Sequence, residues 1–101
     1  MDRRLEFQDF LENLLGSGNV YFQPTQNTRM EYPAIVYELA DLDARHANND
    51  PYTIETAYSV THIDRDPDSD VPMKLAYVRK SGFDRKFVAD NLNHTVFNIY
   101  Y

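Results

Sequence analysis

A chain of 101 residues supports a single domain, residues 1–101, with a modest core, because a fold of this size buries only about 60–70% of its unfolded surface. At 43% hydrophobic and 26% charged it is too apolar for intrinsic disorder, and 16 acids against 10 cations (formal −6) argue against a phosphate-binding surface, which needs clustered Lys and Arg. The absence of cysteine excludes disulfides, thiolate nucleophiles and thiolate-held metal centres, and no apolar run approaches the roughly 20 residues of a membrane span or forms a signal-peptide block, so the expectation is an acidic domain folded inside a cell.

Residues 3 to 15 predict a helix. Phe7, Phe10, Leu11, Leu14 and Leu15 fill every position of the i, i+3, i+4, i+7, i+8 template. Asp2 is placed to cap its start, and Gly16 stands where a left-handed residue ends a helix. Arg3 and Arg4 oppose the helix dipole at a small cost, and Leu5 falls off the apolar stripe. A turn at 17–19 leads to a short strand, 20–23, stopped by Pro24. Residues 24–31 are polar and loop-like. Pro33 then opens a strand, 34–39, apolar at nearly every position, which predicts cover on both faces.

Residues 40–51 predict a polar loop, ending in the turn residues Asn48, Asn49, Asp50 and Pro51. From 52 to 64 the chain alternates. Ile54, Thr56, Tyr58, Val60 and His62 share one face of a long, half-buried strand, and Glu55, Ala57, Ser59, Thr61 and Ile63 share the other. An acidic turn follows, then a second helix over about 70–79 with Val71, Leu75 and Val78 on one side. Pro72 confines its N-cap to Ser69 or Asp70. Strands over about 82–88 and 94–101 close the chain. The order α-β-β-β-α-β-β predicts an α+β fold: a single mixed, mostly antiparallel sheet with two helices on one face.

The candidate sites start with Asp64, Asp66, Asp68 and Asp70. Alternating carboxylates supply the oxygen ligands that calcium or magnesium takes, and a small divalent-metal-binding or hydrolytic domain is the alternative function they define. The EF-hand pattern fails, with Ser69 at the glycine position and Leu75 where a bidentate Glu belongs. The bland reading is helix capping and solvation at the start of the second helix. His62 and Asp64 share a strand face, so a His–Asp pair is available; Asp84, Asp90 and His94 form a triplet of a kind any acidic chain of this length offers. Three glycines, Gly16, Gly18 and Gly82, make no phosphate-binding loop, and no nucleophile elbow is present. The expectation is therefore a protein that is not an enzyme and takes no cofactor. The apolar terminal segment 97–101 would invite aggregation as an exposed edge, which favours a permanent assembly unless it pairs within its own sheet.

Three stretches belong together: Tyr32-Pro-Ala-Ile-Val-Tyr37; Tyr58-Ser-Val-Thr-His-Ile-Asp-Arg-Asp-Pro-Asp-Ser69; and Phe83-Asp-Arg-Lys-Phe-Val-Ala-Asp-Asn-Leu-Asn-His94 followed by Val96-Phe-Asn-Ile-Tyr-Tyr101. Asn19-Val-Tyr-Phe-Gln-Pro24 fits with them. Over residues 19–101 the chain resembles the tail terminator, tail completion or head–tail joining proteins of long-tailed phages and prophages of Gram-positive bacteria. The resemblance implies a virion structural protein of the neck. Its subunits form a ring, expected to be a hexamer, that terminates the tail tube and joins it to the head. The implied partners are copies of itself, the tail-tube protein and the head connector or head completion protein, with DNA only passing through the lumen and no membrane. The implied location is the virion, and the host cytoplasm during assembly. The resemblance carries no catalytic residues. An acidic ring suits a conduit, since like charge within a Debye length of about 8–10 Å keeps phosphates off a wall. The two longest polar segments supply the expected contacts with subunits and partners: Asp41, Asp43, Arg45, His46, Asn48 and Asn49 in one, Thr28 and Arg29 in the other.

Overall fold

A computed structural model describes residues 3–25, 27–43 and 55–101. Its elements are α1 (Arg3–Leu15), β1 (Val20–Phe22), β2 (Ala34–Asp43), β3 (Glu55–Asp64), α2 (Val71–Ala76), β4 (Ser81–Ala89) and β5 (Leu92–Tyr100). The strands form one sheet in the order β1-β2-β3-β5-β4. β1 runs parallel to β2, and every other neighbouring pair is antiparallel. This is the mixed α+β sheet expected from the element order.

Helix α1 forms because its apolar stripe has a core to meet. Phe7 and Leu11 are fully buried, with Phe10, Leu14 and Leu15 packed at the margin, while Leu5 is exposed. Gly16 ends the helix at φ 86°, a conformation costly for other residues, and its N–H donates to Glu12 O at 2.9 Å. Arg4 lies over the Phe22 ring, 4.6 Å from its centroid, and donates to the Tyr37 hydroxyl, contacts that offset its unfavourable place at the helix start.

The core lies between the helices and one sheet face. Alternation along the strands turns Ile35 and Tyr37 of β2, Tyr58 and Val60 of β3, and Phe97 and Ile99 of β5 to that face, where Phe7 and Leu11 of α1 meet Val71 and Leu75 of α2. Aromatic rings dominate it. Phe7 meets Tyr37 edge-on at 5.5 Å, and stacks on Tyr58 at 4.7 Å. The buried Tyr37 hydroxyl donates to Gln8 Oε1, and Gln8 Nε2 donates to Val20 O, tying α1 to both β2 and β1.

Several expectations change. The double cover of β2 is partial: both helices contribute to the cluster on one face, while on the other Ala34 is buried, Val36 half-exposed and Glu38 exposed. Residues 40–43, expected in a loop, continue β2. Asp41, Leu42 and Asp43 pair with Ala57, Thr56 and Glu55 beyond a register shift after Leu39. Helix α2 ends at Ala76 rather than 79, because the chain turns through a left-handed Lys80 (φ 62°) into β4. The terminal strand is not an edge. β5 lies between β3 and β4, and the free edges are β1 and β4. β4 and β5 are joined by Asp90 and Asn91 alone, both left-handed (φ 53° and 63°), as a two-residue hairpin turn matching the strand twist requires.

Candidate functional site

A cavity of about 340 Å³ opens between α2, the acidic turn and the far end of the sheet. Register builds its floor. His62 of β3 stands opposite Thr95 of β5, and Thr95 stands opposite Lys86 of β4, giving a polar row across three strands. A bulge at Asp84 turns Lys86 to the same face as Phe83. Phe83 and Phe97 (centroids 5.8 Å apart) form one apolar wall, with Met73 and Pro72 of α2 on another side.

His62 is 2% exposed, and among the described residues its Nε2 finds no hydrogen-bond partner. Asp64 Oδ2 lies 3.7 Å from this nitrogen, beyond hydrogen-bond reach. Burial pushes the imidazole pKa below its ordinary value, and the Asp64 charge pulls it only partly back, so the ring is neutral at pH 7. Ser69 also lines the cavity, but its Oγ accepts from Val71 N–H at 3.3 Å, which holds it to the start of α2. A neutral histidine and a threonine at the base of an apolar pocket can orient a ligand by hydrogen bonds.

The acidic turn is organised by its own backbone. Asp64 Oδ1 accepts from Asp66 N–H at 3.0 Å, and Asp66 Oδ1 accepts from Asp68 N–H at 2.9 Å. Asp70 is the N-cap of α2, yet its carboxylate caps no N–H and lies 3.8 Å from Lys74 Nζ. Asn93 Nδ2 donates to the carbonyls of Asp64 and Arg65, pinning the turn to β5. Among the described residues no three of His, Asp and Glu converge as a group that could hold a metal ion. Asp84 pairs with Arg85 at 3.0 Å, Asp90 sits in the hairpin turn, and His94 stacks on Phe87 at 4.6 Å on the face of the sheet away from the helices, with its Nδ1 3.1 Å from Leu92 O.

Of the residues expected to meet partners, Arg45, His46, Asn48 and Asn49 lie outside the described residues. Asp41 and Asp43 belong to β2 rather than to a loop. Thr28 and Arg29 lie in the polar connection before β2; Thr28 Oγ1 accepts from Thr25 N–H at 3.0 Å, and Arg29 is exposed. Reading the sequence brought out His62 and Asp64 but missed Thr95, Lys86 and Phe83. The Asp90–Asn91 turn carried the missing signal, since it sets the β4–β5 register.

No protein-family model, curated protein or solved structure matches the chain, so the functional reading rests on its residues and their geometry.

Proposed function

We propose that this chain is a non-catalytic structural subunit of the head–tail junction of a long-tailed phage, assembling as a ring that ends the tail tube and joins it to the head. The observation that carries the reading is the set of stretches at 32–37, 58–69 and 83–101, with their resemblance to tail terminator and head–tail joining proteins. In the fold these stretches are the sheet itself: the entry into β2, most of β3 with its acidic turn, and the β4–β5 hairpin. A sheet with helices on one face and an exposed long edge suits a part whose work is contact with other proteins. The proposed partners are further copies of the chain, the tail-tube protein and the head connector.

The test is a phage carrying an early stop in this gene, viewed by electron microscopy. Unjoined heads and tails, with tubes of abnormal length, support the reading. Particles with tails of ordinary length on filled heads overturn it.

A further inference from the structure

The cavity beside α2 holds a polar atom whose bonding is unmet. His62 lines it, almost fully buried, with an Nε2 that finds no hydrogen-bond partner among the described residues. A buried polar atom left in this way costs the fold stability, and a ligand that bonds to it removes the cost. Asp64 Oδ2 also belongs to the lining, 3.7 Å from Nε2. An oxygen set beside the two reaches both at hydrogen-bond distance.

The donors and acceptors present narrow the group that fits. A neutral imidazole nitrogen donates or accepts according to its tautomer, whereas a carboxylate only accepts. A hydroxyl serves either tautomer: it accepts from Nε2–H while donating to Asp64, or it donates to a bare Nε2. An ammonium only donates, so it fails the first tautomer, which the nearby Asp64 charge favours. The charges of the lining also select a neutral group. Asp64 and Asp66 oppose an anion, and Lys86 opposes a second cation.

The remaining walls select a ring. Phe83 and Phe97 meet edge-on, with centroids 5.8 Å apart and planes at 77°, and Pro72, Met73 and Ala76 of α2 complete the apolar lining. Such walls hold a further ring by edge and offset contacts, and a methionine sulfur adds to them. Phe83 and Met73 are 62% and 58% exposed, so this apolar surface is open to an incoming group. At about 340 Å³ the cavity lies at the small end of ligand sites, which suits one ring.

We propose that this cavity binds a neutral phenol-type group, its ring among Phe83, Phe97 and Met73 and its hydroxyl bridging His62 Nε2 and Asp64 Oδ2. A free phenol and the tyrosine side chain of another protein share this chemistry. The site rests on observations separate from those behind the ring reading, and neither depends on the other.

Titration of the 15N-labelled full chain with p-cresol, followed through the imidazole nitrogen signals, tests it. p-Cresol binds saturably with a Kd of about 1 mM, as suits a fragment of its size, and shifts His62 Nε2. Toluene, benzylamine and benzoate each bind at least about tenfold more weakly, because they lack the hydroxyl or carry a charge. His62→Leu loses the same factor for p-cresol and keeps its toluene binding; the ligand series on the wild type decides the matter even where this variant fails to fold. An acetylated glycine–tyrosine–glycine amide separates the sources. Its binding at the same signals assigns the site to a partner's tyrosine, and its exclusion while p-cresol binds assigns it to a free phenol. Toluene, benzylamine or benzoate matching p-cresol, a His62 signal unmoved at saturation, or no binding at about 10 mM p-cresol overturns the proposal.

Discussion

His62 Nε2 lies 3.7 Å from Asp64 Oδ2 on one face of β3, yet the two do not form an ion pair at neutral pH. Desolvation outweighs the carboxylate's pull, so the folded protein holds the ring neutral. The sign of the pH dependence follows. The unfolded chain, with an ordinary histidine near 6.5, binds the proton more readily than the fold does. The stability is fully present above pH 6.5 and is lost as the pH falls below it. Melting temperature measured against pH shows this slope in the wild type, a shallower one in His62→Gln and a steeper one in Asp64→Asn. Equal slopes in wild type and His62→Gln contradict the assignment.

The start of α2 depends on Ser69 more than on Asp70. Ser69 Oγ takes the Val71 N–H, whereas the Asp70 side chain makes no cap. Ser69→Ala lowers stability by about 1 kcal/mol, the usual loss for a cap, and Asp70→Ala by less. Denaturant titration of both variants checks the order. A larger loss for Asp70→Ala contradicts the cap geometry.

Phe7 is the ring around which the aromatic core closes, touching Tyr37, Tyr58, Phe10 and Tyr101. Phe7→Ala leaves a cavity in a core with little to spare and costs about 3–5 kcal/mol. Leu5→Ala, on the exposed side of the same helix, changes stability by less than about 0.5 kcal/mol. Thermal melts of the two variants separate the faces of α1.

β5 is an interior strand, so removing residues 96–101 deletes buried Val96, Phe97 and Ile99 and strands both β3 and β4. The truncated chain is insoluble or unfolded by circular dichroism. A soluble truncation with a cooperative melt contradicts the placement of β5.

Elements with a local cause were legible in the residues. The stripe of α1 needs only helical spacing, and the alternation of β3 needs only period two, so Phe7, Leu11, Tyr58, Val60 and His62 were assigned to their faces correctly. Elements decided by distant pairing were not. Ala40-Asp41-Leu42-Asp43 reads as polar loop, and it is the ladder to 55–57 that makes it strand. β4 becomes the free edge only because β5 inserts beside β3, an outcome no local pattern encodes. The site divides in the same way. His62 and Asp64 follow from alternation within one strand, but Lys86 joins them through a bulge that reverses the facing of β4.

The central claim is that this chain is a part of the virion at the neck. The most direct measurement is gold labelling of intact, purified phage particles with antibody to this chain, imaged by electron microscopy. Label confined to the junction between head and tail is the expected result. Purified, infectious particles that carry no label and contain none of the chain by mass spectrometry would contradict it.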